Sequence, residues 1–312
     1  MFRLRLRLRP KSHPRSHNLK NYNTTVMTEA LKVGTLYIVG TPIGNLEDMT
    51  FRAIKTLQTV DLIAAEDTRH TGKLLEHFQV KTPQISYYEH NQNQRIPELI
   101  DRLHQGTTIA LVTDAGMPGI SDPGYELVKA CIDAGITVIP IPGVSACVTA
   151  LSAAGIPSDR FVFEGFLPIK GKARSQRLEA LQNESRTLIL YESPHRIQET
   201  LTDLATTLGE SRPIAIAREL TKLHEEFWRG HLKGASLYFT KTKPLGEFTL
   251  VIGGASLEVP SLSDEVLKEE LKQIMLQGIS RSQASRQLAQ KVATSRRHLY
   301  QLALTVVLVD SE

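Results

Sequence analysis

Cysteine is scarce: Cys131 and Cys147 are the two thiols in 312 residues. That excludes a disulfide framework and a four-thiolate zinc site. It fits a reducing, cytoplasmic setting in which both thiols act as small buried apolar groups. Long apolar runs are also missing. No uncharged stretch nears the roughly 18 residues that a bilayer span needs, so a membrane-spanning chain is excluded. The ten histidines show no convincing ligand spacing; His13 and His17 lie four apart in a basic leader, where chance explains the pairing, and no metal is expected. With 41% hydrophobic and 22% charged residues, the composition is that of a globular chain rather than a disordered one. The length suggests about two domains at roughly 150 residues each.

Acid is absent from residues 1–28, which hold seven of the 37 basic residues; the remaining 30 face 33 acids, so the body is slightly negative although the whole chain carries +4. The leader alternates Arg and Leu and lacks the continuous apolar core of a secretory signal. Three readings stay open: an organellar transit peptide, a phosphate-binding arm, or an extension ahead of a second start at Met27. Residues 1–31 are therefore read as a disordered basic extension outside the fold.

From Gly34 onward, short apolar runs alternate with segments of helical period. Strands are predicted at Thr35–Val39, Val60–Ala65, Thr108–Thr113 and Ile136–Ile141, with helices at Thr50–Thr59, Arg69–Gln79, Gln92–Gln105 and Asp122–Ala134. A second set has strands at Arg160–Glu164, Thr187–Tyr191, Pro213–Ala217 and Phe248–Ile252, and helices at Lys172–Asn183 and Pro194–Leu208. Such alternation predicts an α/β fold with largely parallel sheets covered on both faces. Two α/β domains result, 32–142 and 143–257, with a hinge near Pro140-Ile141-Pro142-Gly143 that should stop a strand or helix. Beyond Pro260 a helical tail (260–312) has the outline of a helix-turn-helix, with helices at Ser263–Gln277, Ser282–Lys291 and Ser295–Val307 and capping-box spacing at Ser280 and Gln283. Between Lys272 and Val309 it carries six Lys/Arg and no acid, which favours nucleic-acid contact.

Ligands of open α/β sheets sit beyond the carboxyl ends of strands. There, Gly40-Thr41-Pro42-Ile43-Gly44 matches neither the phosphate-loop nor the dinucleotide spacing, but its glycines permit close approach of a ligand or another backbone. Asp114 ends a strand and opens a loop rich in Gly and Pro that runs to Asp122-Pro123-Gly124. Ser121 or Asp122 before Pro123 also suits a helix cap. Pro142-Gly143-Val144-Ser145-Ala146 is a third such loop, small enough to leave room for a ligand.

These segments carry a resemblance. Thr35–Leu46, Asp114–Gly124 and Pro142–Ala146 resemble the tetrapyrrole-methylase superfamily of S-adenosylmethionine-dependent methyltransferases. Ala65–Thr71 and Tyr191–Arg196 are similar to one branch, the ribosomal RNA small subunit methyltransferase I group, over about Gly34 to Gly254. The group's signature has Ser where this chain has Thr113, and the leader lies outside its pattern. The resemblance implies two α/β domains with S-adenosylmethionine in the cleft between them, a homodimer, and 2′-O-methylation of a cytidine ribose in the decoding region of 16S rRNA, on free rRNA or the 30S subunit. It places the cofactor against Pro42, Asp114, Gly116, Pro118, Ile120, Ser121, Asp122, Ser145 and Ala146, and against backbone near Tyr191 and Leu250.

Methyl transfer to a hydroxyl needs alignment, exclusion of water and removal of one proton. Candidates for the base or substrate orienter are Glu66, Asp67, Glu192 and Glu219, with Arg69 in the same cluster as Glu66 and Asp67. Capping is the alternative for Asp67 and for Ser193-Pro194. His195 and Arg196 suit phosphate contact, as do Arg286, Arg296 and Arg297 in the tail. Lys170, Lys172, Arg174 and Arg177 around Gly171 suit a mobile RNA clamp. Two other functions remain open: methylation of a small molecule such as a tetrapyrrole, against which the basic segments argue, and a cofactor-gated DNA-binding regulator.

Overall fold

The computed structural model describes residues 32–242, 244–255, 262–289, 292 and 294–306. The basic extension 1–31 and the end of the tail lie outside them. The first sheet comprises β1 (Thr35–Val39), β2 (Leu62–Ala65), β3 (Gln84–Ser86), β4 (Ile109–Val112) and β5 (Thr137–Ile141). Its order is β3-β2-β4-β1-β5 and every pairing is parallel. Residues alternate between its two faces as a pleated strand requires. Tyr37, Val39, Ile63 and Ala65 pack on α1 (Phe51–Thr59) and α2 (Thr68–His77), whereas Leu36, Ile38, Leu62 and Ala64 pack on α3 (Gln92–His104) and α4 (Tyr125–Asp133). Each fully buried Leu or Ile contributes about 1.5–3 kcal/mol, so both faces are needed to hold a two-sided sheet.

Of the two prolines near 140, Pro142 directly follows the end of the strand at Ile141, whereas the other does not interrupt it. Pro140 lies inside β5, paired in register with Ile38, and is tolerated because β5 is an edge strand with only Ile141 buried. The chain leaves the first sheet after Ile141 and enters α5 (Ala146–Ala154), which carries it to the second sheet.

That sheet is mixed, not largely parallel. It contains β6 (Phe161–Phe166), β7 (Thr187–Glu192), β8 (Pro213–Arg218), β9 (Glu226–His231) and β10 (Phe248–Ile252) in the order β6-β7-β10-β8-β9. Only β6 and β7 pair parallel; β10 runs antiparallel to both β7 and β8, and β9 antiparallel to β8. One face packs on α5 through Cys147, Ala150, Leu151 and Ala154. The other packs on α6 (Lys172–Leu181), α7 (Ile197–Leu208) and α8 (Leu232–Lys241). Both cysteines are buried and unpaired.

The tail forms its own small core. Leu267, Leu271 and Met275 of α9 (Asp264–Leu276) meet Ala284 and Leu288 of α10 (Arg281–Leu288) and Leu299, Leu302 and Ala303 of α11 (Arg296–Thr305). Ser263, Ser280 and Ser295 each cap a helix by accepting a backbone N–H three residues on. Gln283 completes only half of the expected box: its Oε1 accepts from the Ser280 hydroxyl rather than from the Ser280 backbone. Among the described residues no helix is long and apolar enough to cross a membrane, and no cluster of three or more metal-ligating side chains occurs.

Candidate functional site

The loops after β1, β4 and β5 are tied together at the carboxyl edge of the first sheet. Thr41 and Gly116 exchange backbone hydrogen bonds of 2.9 and 3.1 Å, and the Thr41 hydroxyl donates to the Thr113 carbonyl at 3.0 Å. Gly40 and Gly143 lie back to back, so close that a Cβ on Gly143 would sit 2.7 Å from the Gly40 Cα. The close approach that the first loop's glycines permit is thus used by another backbone.

Beside this knot lies a cavity of about 380 Å³, within the usual range of ligand sites. The first unit contributes Ile43, Gly116, Met117, Ile120, Ser121 and Asp122; the second contributes Phe166, Tyr191, Leu220, Phe248 and Thr249; Ser145 and Ala146 enter where α5 begins. The tyrosine is fixed: its hydroxyl accepts the Cys147 N–H at 3.1 Å, and its ring meets Phe163 and Phe166 edge-on at 4.9 and 5.8 Å. Burial pushes the Tyr191 hydroxyl up to about 12, so it stays protonated.

Asp122 is not the helix cap its sequence suggests. Ser121 (φ 63°) and Gly124 (φ 145°) turn the chain, and α4 starts only at Tyr125 with Gly124 as its cap. The Asp122 carboxylate is left to line the cavity. Burial, reinforced by Glu66 and Asp114, pushes it up to about 7. Glu66 is raised as well, first by burial. These acids are laced by backbone: the Asp114 N–H donates to Glu66 Oε2 at 3.2 Å and the Asp67 N–H to Asp114 Oδ1 at 3.3 Å. One end of a mainly apolar cavity is therefore acidic.

The chain matches the family model of the tetrapyrrole (corrin/porphyrin) methylases over residues 35–235. It is 61% identical to a ribosomal RNA small subunit methyltransferase I from Synechocystis sp., covering 87% of this chain and 98% of that protein. The protein of that name from Halalkalibacterium halodurans is 50% identical over 86% of this chain and 94% of its own length. The chain belongs to the ribosomal RNA small subunit methyltransferase I family. Among solved structures, the uroporphyrin-III-C-methyltransferase of Thermus thermophilus shares the fold at 23% identity and a TM-score of 0.52, covering 71% of this chain and 95% of that one.

For a member of this family, the residues sort as follows. Gly116, Ile120, Ser121, Asp122, Ser145, Ala146 and Tyr191 all line the cavity, and Asp114 stands beside it in contact with Glu66. Pro42 and Pro118 are buried away from the lining. Leu250 is absent from the lining: its side chain lies in the core under α7 and α8, as that of Phe248 does, and the strand reaches the cavity at Phe248 and Thr249. Glu219 also sits outside the lining, with its carboxylate on the Lys222 ammonium at 2.8 Å and the Glu247 N–H at 3.0 Å. Asp67 and Arg69 pair with each other at 2.7 Å on the surface, and Asp67 caps α2, the alternative reading for that residue. Arg69 holds the Asp67 carboxyl far below the usual range. Glu192 reaches the cavity wall, yet its carboxylate turns inward to the Thr200 hydroxyl (2.6 Å) and the Ser193 N–H (2.8 Å), the geometry of a positioning residue.

Half of the expected clamp, Arg174 and Arg177, is anchored. Arg174 is only 5% exposed and bonds Asp203, Thr200 and the Pro168 carbonyl, so it cannot meet RNA. Arg196 donates to the Leu167 carbonyl at 2.8 Å, and Arg177 pairs with Glu164. Lys170, Lys172 and His195 remain exposed, as do Arg286, Arg296 and Arg297 in the tail. Met117, Phe166, Leu220 and Phe248 are lining residues that sequence reasoning passed over. An apolar wall has no motif, and a bulge between Phe163 and Gly165 carries β6 on to Phe166, past its predicted end.

Proposed function

We propose that this chain transfers a methyl group from S-adenosylmethionine to the 2′-hydroxyl of a cytidine in the decoding region of 16S rRNA. The observation that carries the reading is the cavity between the two sheets, apolar over most of its wall and acidic at one end, in a chain 61% identical to a ribosomal RNA small subunit methyltransferase I. That combination suits a sulfonium cation attached to an adenosyl group. Asp122 and, behind it, Asp114 and Glu66 offer the negative charge; Ile43, Met117 and Phe248 offer apolar surface; Ser145 and Ala146, at the positive end of α5, suit a ligand carboxylate. When bound, the cofactor supplies an electrophilic methyl group on a positively charged sulfur.

The residues of the chain then have three tasks. Tyr191 and Phe166 wall off water and fix the width of the site. Asp122, on the cavity wall with its carboxyl raised to about 7, is the candidate to accept the hydroxyl proton. Glu192 holds the turn at Ser193-Pro194 in place. Lys170, Lys172 and His195 are exposed close in sequence to the cavity residues Phe166 and Pro194 and present positive charge to phosphates, and the exposed tail arginines Arg286, Arg296 and Arg297 offer more. A homodimer would draw on exposed apolar side chains such as Ile132 and Val148.

The test is to incubate 30S particles that lack the modification with methyl-labelled S-adenosylmethionine and map the label. Label on one cytidine ribose is expected. Label on a base, or on a tetrapyrrole in place of RNA, would overturn the reading.

A further inference from the structure

A second cavity, of about 200 Å³, lies on the α8 side of the second sheet. It is smaller than the roughly 300 Å³ at which cofactor pockets begin, so its size suits a single planar ring. Two of its walls are aromatic. Trp228 is the one tryptophan of the chain, and it faces Tyr238 at 6.0 Å with their planes 34° apart. The indole is seated over glycine: a Cβ on Gly230 would fall 2.6 Å from its ring, and one on Gly234 3.5 Å away. Glycine at both positions therefore clears the space that the ring occupies.

The mouth is polar. Arg218 donates to the Leu245 carbonyl at 2.7 Å and to Glu226 at 3.1 Å. Together they present a guanidinium donor and a carboxylate acceptor side by side, the pair that can read the edge of a heterocyclic ring. The second cavity also adjoins the first. Arg218 and Pro244 line it, while Leu220 and Glu247, two and three residues further along the same two segments, line the methyl-transfer cavity. At about 3.3–3.6 Å per residue the two sites lie within about 7–11 Å along the chain.

We infer that the Trp228–Tyr238 cavity holds an unpaired nucleobase of the RNA strand next to the nucleotide being methylated. The inference rests on the RNA substrate proposed above and adds a subsite to it. Aromatic faces accept any base, and loss of one stacking partner weakens single-strand binding by about tenfold. An apolar side chain of a ribosomal protein would fit the aromatic walls but would make no use of the polar mouth at Arg218 and Glu226.

Because Trp228 is the sole tryptophan, the cavity reports on itself. The full chain, excited at the red edge of indole absorption, is titrated with cytidine 5′-monophosphate, with a short single-stranded oligoribonucleotide, and with ribose 5-phosphate as a base-free control. Saturable quenching by the first two and none by the third is expected. Tyr238→Ala should abolish the quenching and raise KM for 30S particles about tenfold, with kcat and S-adenosylmethionine affinity unchanged. Trp228→Phe, which keeps a stacking face, should retain most of the activity. No quenching, equal quenching by ribose 5-phosphate, or an unchanged KM in a folded Tyr238→Ala protein would overturn the inference. If the nucleotides quench but no RNA is methylated, the base pocket stands and the proposed reaction falls; if RNA is methylated without quenching, the reverse holds.

Discussion

Replacing Asp122 by Asn separates the stability of this protein from its chemistry. The carboxyl group is raised from an ordinary 3.8 to about 7, first by burial and then by Glu66 and Asp114. An acid raised on folding keeps its proton in the folded state while the unfolded chain ionises. Folding stability is therefore fullest below about pH 4, falls as pH rises toward 7, and is flat above. A rise of about three units would correspond to roughly 4 kcal/mol in a fully enclosed site. Asp122 keeps partial contact with water, so screening reduces that to about 1–2 kcal/mol. Asp122→Asn should accordingly unfold at a higher urea concentration than the parent at pH 8, with the gap closing as pH is lowered toward 4. The same variant should lose methyl transfer, since an amide accepts no proton. A variant that is less stable than the parent at pH 8, or whose advantage does not change with pH, would refute the electrostatic argument.

Two further substitutions test the scaffold. Gly143→Ala would push a methyl group to 2.7 Å from the Gly40 Cα and force the loops after β1 and β5 apart; a loss of about 1–3 kcal/mol and weaker S-adenosylmethionine binding are expected by denaturation and calorimetry. Arg174→Ala should cost about 1–3 kcal/mol, because it leaves Thr200 and the Pro168 carbonyl without their donor while the part-exposed Asp203 is taken up by water, and rRNA affinity measured below the unfolding transition should not change.

Much of the first unit was legible because both faces of its sheet are covered. Near-continuous apolar runs such as Leu36–Val39 and Ile109–Val112 then announce each strand. Gln84–Ser86 escaped notice, being three half-buried residues at a sheet edge. In the second unit, Glu226–His231 also escaped notice: it is an edge strand of mixed charge with glycine under Trp228. Missing it, and Leu232–Lys241 after it, also hid the antiparallel character of that sheet. At the site, the loops were visible from their glycines and prolines, but the fate of individual acids was not. Whether Asp122 caps α4 or faces a cavity turns on the positive φ at Ser121 and Gly124, and no spacing rule foretells that. Arg174 looked like one of four free cations until tertiary contacts enclosed it.

The crowding of Glu66, Asp114 and Asp122 at one end of the cleft also bears on turnover. A guest that enters with a positive charge and departs without it is gripped on arrival and released once spent, because the attraction ends with the charge. Loss of the charge on transfer thus favours exchange of the spent donor for a fresh one.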